Sequence, residues 1–328
     1  MVLSDRFAGK TVLVTGGSGF IGTHVCRRLT ECGGNVHAVS RKYRPQLNEQ
    51  IRWWQAELSD IAAVRRVLRA VQPQVVFHLA SRVVGARELN AVLPTFYDNL
   101  VSTVHLLTVA AELGCERIVL ASSSEEPDRV DNATFARSPY AAAKYASNIY
   151  GRTFYRLFEL PVVMPRIFMT YGPDQKDQQK LVPFVVRHLL RDESPRLTSG
   201  HRKADWIYVD DVVEGLLKAA VTPGIEGSTF DLGTGSLVSV REIVERIAQI
   251  VGSSAELVFG TIPDRPYEQE RAADTHFMSD KVGFQPAVSL KEGLASTIAW
   301  YRQQLNRYQD HPHPQVSDEG SVRPQAKL

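Results

Sequence analysis

Residues 11–22 read TVLVTGGSGFIG, which places Gly16, Gly17, Gly19 and Gly22 directly after a short β-forming run and at the start of a helical pattern. Few local sequences constrain a fold more. Glycine permits a tight turn at positive φ, and the missing side chains let another group approach the backbone closely. The helix that follows presents unbonded N–H groups and the positive end of its dipole to that turn. A strand, a glycine turn and a helix in this order make a binding place for a pyrophosphate, and so for a dinucleotide. The plainer alternative is a tight turn with no ligand.

The rest of the first half repeats the same alternation. Strand patterns at 10–15, 35–40, 74–80, 117–122 and 161–168 are separated by helical patterns at 19–32, 61–70, 96–113 and 139–157. Such alternation implies parallel strands joined by right-handed crossovers, hence an α/β doubly wound parallel sheet of Rossmann type. After Tyr171 the pattern becomes irregular, with helical periodicity at 180–190 and 240–251. We read residues 1–165 as the dinucleotide-binding Rossmann domain. Residues 166–305 read as a smaller C-terminal substrate-binding α/β domain interleaved with that sheet. Residues 306–328 are rich in Gln, Pro, His, Ser and Asp, so a disordered tail is expected there.

Composition removes several functions. The net charge is +2 with no clustered basic face, which argues against a nucleic-acid partner. No apolar run reaches the roughly 18 residues of a membrane span. Cys26, Cys32 and Cys115 have no metal or redox spacing, so idle thiols in a reducing cytoplasm are expected and no metal site.

The spacing Gly16-x-x-Gly19-x-x-Gly22 is looser than in other dinucleotide folds, and here the chain resembles the extended short-chain dehydrogenase/reductases, the NAD-dependent epimerase/dehydratase family. The resemblance runs from about residue 10 to residue 302. It implies that Gly16, Gly19, Phe20, Ile21 and Gly22 surround the cofactor pyrophosphate. It places Glu57 and Leu58 near the adenine, and Leu79, Ala80 and Ser81, after Phe77 and His78, on the nicotinamide side. The end of the second strand reads Ser40, Arg41 and Lys42, with no acid to hydrogen-bond a ribose 2′-hydroxyl. A guanidinium there suits a 2′-phosphate, which favours NADP over NAD. The alternative is that Arg41 and Lys42 are solvated loop charges.

Tyr140 and Lys144 are four residues apart and share one helix face. An ammonium beside a phenol would lower the phenol's pKa towards working pH. The resemblance makes Tyr140 the proton donor or acceptor for the substrate oxygen, and has Lys144 bind the nicotinamide ribose. The third member is a serine after the preceding strand. Aligning that strand selects Ser123 as the hydroxyl donor, with Ser122 or Ser124 taking its place if the register slips by one. Ser123-Ser124-Glu125 also resembles a run of the family's dehydratases, in which the acid acts as a base; a solvated loop carboxylate is the alternative for Glu125.

The second half carries matches to the nucleotide-sugar branch at residues 166–173, 205–211 and 230–235, and at Arg265 and Pro266. Ser124, Met169, Arg202 and Arg265 are the expected substrate contacts, with Arg265 the candidate for a diphosphate. Three departures stand out. Met169 replaces a hydrogen-bonding Asn, Ala204 replaces a common Arg, and Glu126-Pro127-Asp128 replaces the usual Val-Tyr-Gly, Asp128 lying outside the residues the structure describes. The leading expectation is an NADPH-dependent reductase of a nucleotide-linked 4-keto-deoxysugar. The alternatives are an epimerase or 4,6-dehydratase that recycles its cofactor, and an NADP-binding sensor or scaffold without turnover. A homodimer through helices 96–113 and 139–157 is expected.

Overall fold

The structure, a computed structural model, describes residues 3–42, 50–83, 85–127 and 135–310. It divides into two compact units. The first comprises Met1–Phe168, Asp210–Gly233 and Ala273–Pro286; the second comprises Met169–Val209, Thr234–Ala272 and Ala287–Leu328.

The first unit begins with α1 (Leu3–Phe7), β1 (Thr11–Thr15), α2 (Phe20–Glu31), β2 (Asn35–Ser40) and β3 (Ile51–Gln55). It continues through α3 (Ile61–Val71), β4 (Val75–His78), α4 (Val92–Thr95), a π-helical turn (Phe96–Val101) and α5 (Ser102–Leu113). β5 (Arg117–Leu120), β6 (Ser122–Ser123), α6 (Pro139–Phe158) and β7 (Val162–Ile167) follow. The chain adds α8 (Val209–Val221, from Asp210 onward) and β10 (Thr229–Leu232) when it returns. Along the sheet the order is β10-β7-β5-β4-β1-β2-β3, and β6 also pairs with β7. Every one of these pairings is parallel. This is the Rossmann arrangement the alternation predicted. β3 was not anticipated, because its half-exposed edge sequence lacks the apolar run of the central strands.

Central strands are apolar along their whole length because both faces are covered. Val12, Leu13 and Val14 of β1 and Val75, Val76 and Phe77 of β4 are all buried. One face is covered by α3 and α5, whose Val64, Val67, Leu68, Leu106 and Leu107 form one apolar cluster with Leu13 and Ile118. α3 starts where the Asp60 carboxylate accepts the Ala62 amide at 2.9 Å, and ends at Gln72 in the left-handed region. α6 starts with Ser138 accepting the Ala141 amide at 3.1 Å and with Pro139 in its first turn. That cap fixes where Tyr140 and Lys144 stand. The sheet order reverses between β1 and β4, and the strands' carboxyl ends, Thr15 and His78, lie side by side there. Ligands of doubly wound sheets bind at such a switch point.

The second unit holds β8 (Met169–Tyr171) parallel to β9 (Lys203–Tyr208), and β11 (Leu237–Ser239) antiparallel to β9. Its helices are α7 (Leu181–Leu189), α9 (Val240–Val251) and α10 (Leu290–Asp310). α9 opens with a full capping box between Ser239 and Glu242. α10 passes through Asn306, so residues 306–310, expected to begin a disordered tail, are helical; residues 311–328 lie outside the described residues. Among the described residues no helix is long and apolar enough to cross a membrane.

Candidate active site

The glycine turn sits where its sequence demands. Gly16 has φ +71°, and a Cβ there would meet the Ala80 amide nitrogen at 2.7 Å. A Cβ on Gly22 would lie 2.1 Å from the Gly16 carbonyl oxygen. The first helical bond of α2 is donated by Thr23 to Gly19, so the amides of Phe20, Ile21 and Gly22 precede the helix's own ladder. No acid stands in that first turn. An anion is the natural complement of such an end.

Beside this turn opens a cavity of about 350 Å³. Among its lining residues are Gly16, Gly19, Ser40, Arg41, Lys42, Glu57, Leu58, Leu79, Ala80 and Ser81, all singled out from the sequence. Phe20, Ile21, Gly22, Tyr140 and Lys144 are not among them. Ser18, Arg82 and Asp98 line it too, without having been anticipated. The Ser81 hydroxyl is buried and has no hydrogen-bond partner among the described residues. A glycine cradle that any Cβ would fill, together with a buried hydroxyl awaiting a partner, fits a dinucleotide at this place.

Arg41 was expected to stand ready for a 2′-phosphate. Its guanidinium instead lies 3.5 Å from the Asp98 carboxylate, which Arg82 approaches at 3.7 Å. The loop carrying Arg82 is itself fixed, because the Asn99 side chain accepts from the Arg82 amide at 2.6 Å and donates to its carbonyl at 3.2 Å.

A relay of hydroxyls joins the strand ends below. Thr103 donates to the Asn99 carbonyl at 2.6 Å, so its oxygen accepts from His78 Nε2 at 3.0 Å. The His78 proton is therefore on Nε2, and Nδ1 accepts from the Thr15 hydroxyl at 2.8 Å. Thr15 in turn accepts the Ala80 amide at 3.3 Å. Burial, and then the Lys144 charge, push the His78 pKa down to about 3, so it stays neutral and acts as a structural link.

Ser123, Tyr140 and Lys144 come together at the end of β6 and the start of α6. The Ser123 hydroxyl bonds the Tyr140 phenol, and the Glu125 charge acts on that phenol as well. Of the three serines, Ser123 thus faces the phenol, while Ser122 donates to Glu126 and Ser124 donates its amide to the Ile167 carbonyl at 3.1 Å. Lys144 Nζ donates to the Ala121 carbonyl at 2.8 Å. Burial lowers the Lys144 pKa to about 8, against the opposing pull of Glu126. The spacing argument had Lys144 lowering the Tyr140 pKa. The phenol is instead pushed up, first by burial and then by Glu125, with the Ser123 bond opposing. In so dry a site, desolvation of the phenolate outweighs the spacing effect.

Glu126 was the main surprise. The sequence marks it only as a departure, yet it is 2% exposed. Its carboxylate accepts from the Ser122 hydroxyl, from the Ser123 amide at 3.0 Å and from Asn148 Nδ2 at 3.1 Å. Burial raises its pKa, while these bonds and the charges of Lys144 and Arg166 oppose the rise. Glu126 thereby ties the serine turn to α6. Glu125, by contrast, is exposed. In the second unit Met169 is half-buried on β8, Arg265 is half-buried, and Arg202 pairs with Glu268 at 2.9 Å.

Several known proteins resemble this chain. A family model described as the NAD dependent epimerase/dehydratase family matches residues 12–233. A UDP-glucose 4-epimerase of Mycolicibacterium smegmatis is 29% identical over 310 residues, 88% of this chain and 98% of that protein. A mouse dTDP-D-glucose 4,6-dehydratase is 26% identical over 325 residues, 92% of this chain and 91% of that protein. Among solved structures, a Thermotoga maritima UDP-glucose 4-epimerase with UDP-glucose superposes with a TM-score of 0.82 at 28% identity, covering 90% of this chain and 99% of that one. A Thermus thermophilus UDP-glucose 4-epimerase in complex with NAD does so with a TM-score of 0.76 at 27% identity, covering 89% and 98%.

Proposed function

The chain belongs to the NAD-dependent epimerase/dehydratase family, within the extended short-chain dehydrogenase/reductases, and from that premise we propose that it inverts C4 of a nucleotide-linked sugar, with NAD recycled in each turnover. The observation that carries the reading is the buried Ser123–Tyr140–Lys144 group at the carboxyl edge of the same sheet that holds the glycine cradle. The turn from Gly16 to Gly22 and the first amides of α2 would hold the pyrophosphate. Ser40 with Arg41 and Lys42 would border the adenosine ribose, Glu57 and Leu58 the adenine, and Leu79, Ala80 and Ser81 the nicotinamide side. When bound, NAD supplies a hydride acceptor that later returns the hydride to the other face of the sugar.

Everything else falls to the chain. Tyr140 would act as the phenolate, which the positive charges of Lys144 and of bound NAD would favour against burial; it would take the proton of the C4 hydroxyl as the carbon is oxidised, and give it back to the carbonyl oxygen on reduction. No net oxidation results. Ser123 donates a hydrogen bond to that oxygen while its charge develops. Lys144 holds a positive charge beneath the site and would bind the nicotinamide ribose. Arg202 pairs with Glu268, and Arg265, which stands in the stretch that resembles the nucleotide-sugar branch, is the proposed diphosphate contact.

Recycled NAD takes the place of the NADPH-dependent reduction expected from Arg41 and Lys42. Arg41 already pairs with Asp98, and the relatives above are epimerases and a dehydratase. The Glu125 charge beside Tyr140 favours one second reading, 4,6-dehydration. Loss of water next to a 4-ketone needs a base at C5 and an acid at the departing C6 hydroxyl. Glu125 supplies one carboxylate, but Glu126 is held by Ser122, Ser123 and Asn148. Epimerisation needs neither.

The proposal is tested by denaturing the purified protein, identifying the released nucleotide by mass spectrometry, and incubating intact protein with UDP-glucose and dTDP-glucose. Bound NAD and conversion to the C4 epimer without added cofactor are expected. An empty site, with turnover only on added NADPH, would establish the reductase instead.

We further propose pairing with a second copy. Leu93, Phe96 and Tyr97, with Ile149 and Tyr150 of α6, expose large apolar surfaces that two-fold pairing would cover on both copies. Sedimentation of wild type should give twice the chain mass, and Tyr150→Glu should shift it towards the monomer. The free thiols Cys26, Cys32 and Cys115 suit a reducing compartment such as the cytoplasm.

A further inference from the structure

We propose that Asp98 selects the cofactor, excluding a 2′-phosphate and so setting NAD over NADP. This inference rests on the dinucleotide reading above. The sequence poses the problem: β2 ends in Ser40, Arg41 and Lys42, a basic run that by itself invites a phosphate. The structure brings the missing carboxylate from another element. Asp98 stands in the π-helical turn after α4 and lines the same cavity as Ser40, Arg41, Lys42 and Arg82.

One carboxylate faces two guanidinium groups. Asp98 Oδ2 lies 3.5 Å from Arg41 Nη1 and 3.7 Å from Arg82 Nη1. The Asp98 side chain is 20% exposed, whereas that of Arg41 is 66% exposed, so the acid is the fixed partner and the cation the adaptable one. Two backbone anchors hold the group in place. Asn99, the next residue, bonds the Arg82 backbone in both directions. The Gln55 side chain donates to the Arg41 carbonyl at 3.1 Å.

A 2′-phosphate entering beside Arg41 would have to displace this carboxylate or sit beside it. The first loses an ion pair and the second sets two anions together. A ribose 2′-hydroxyl faces neither cost. Asp98 therefore plays, from a remote helix, the part that an acid at the end of β2 plays in other Rossmann proteins. Removing it would release Arg41 to the phosphate.

The test uses full-length protein stripped of nucleotide, with NADH and NADPH titrated separately by fluorescence. Wild type is expected to bind NADH more tightly. Asp98→Asn should improve NADPH binding relative to NADH by about tenfold, the scale of one charge interaction near a protein surface. Adding Arg41→Ala to that variant should cancel the gain, because Arg41 is the group released. Asp98→Ser provides the same reading if the Asn variant does not fold. An unchanged NADPH-to-NADH ratio in the folded variant, or a wild-type preference for NADPH, would overturn the role of Asp98 while leaving the dinucleotide site standing. Wild type that binds neither nucleotide would overturn the proposed function, and this inference with it.

Discussion

Replacing Tyr140 with Phe is expected to lower kcat by roughly a thousandfold, the middle of the range for loss of a positioned acid–base group. Dinucleotide affinity and KM should change by less than about twofold. The split follows from what is removed. The Tyr140 ring is 7% exposed and packed at the start of α6, and Phe keeps that packing. Only the hydroxyl that bonds Ser123 is lost, and Ser123 keeps its contact with the Glu125 amide at 3.2 Å. Steady-state kinetics with the nucleotide-sugar, and NADH titration of the same variant, read the two quantities separately. Normal turnover would remove Tyr140 from the chemistry. Equal loss of binding and turnover would make it a structural residue. Wild-type activity should also fall above about pH 8, because burial brings the Lys144 pKa down to about 8. The ammonium is present below that pH and lost above it, so the basic limb belongs to Lys144.

The two halves of this site differed in how plainly the sequence announced them. Gly16, Gly19 and Gly22 were legible because a backbone that must turn at positive φ and pack against Ala80 accepts no other residue easily. β1 and β4 were legible because strands covered on both faces become apolar runs. Tyr140 and Lys144 were legible as a spacing, but their electrostatics were not. Spacing on a helix says that two side chains share a face; it says nothing of how much water is removed around them. Burial then pushed the phenol pKa up where the spacing alone suggested down.

The residues missed were those whose roles depend on distant partners. Asp98 reaches Arg41 across 57 positions of sequence, and Glu126 meets Asn148 across 22. Nothing in the local pattern around Glu126 distinguishes a solvated acid from one that anchors the serine turn. That the second half is interleaved with the sheet was expected from the sequence; which segments return to the first unit, 210–233 and 273–286, was not, since local periodicity records an element's type but not its destination. The departure at Glu126 and Pro127 was nonetheless a usable signal. A charged residue where the family carries apolar ones had to find either solvent or a dedicated set of donors, and it found the donors.

The glycine turn yields the second large effect. Gly22→Ala is expected to weaken dinucleotide binding more than tenfold and to cost the fold about 1–3 kcal/mol, the usual range for overpacking. A Cβ at Gly22 would stand 2.1 Å from the Gly16 carbonyl oxygen, 2.8 Å from its carbon and 2.9 Å from Gly17 Cα. All three are backbone atoms, so no side chain can swing away. Nor can Gly16 retreat, for the position of its own absent Cβ is hemmed in by Ala80 and Leu79. Its carbonyl also accepts the Gly19 amide at 2.9 Å, and moving it breaks the bond that closes the turn. Gly19→Ala separates the two contributions. Gly19 has φ −79°, and the nearest atom to its would-be Cβ is 3.1 Å away. The atom it meets is again the Gly16 carbonyl oxygen, but the overlap is only a few tenths of an ångström, so that variant should lose less stability than Gly22→Ala while still binding the dinucleotide more weakly. Thermal melts with NADH titrations on both variants give the answer. If Gly22→Ala is as stable and binds as tightly as wild type, the turn is looser than this packing requires, and the cofactor cradle must lie elsewhere.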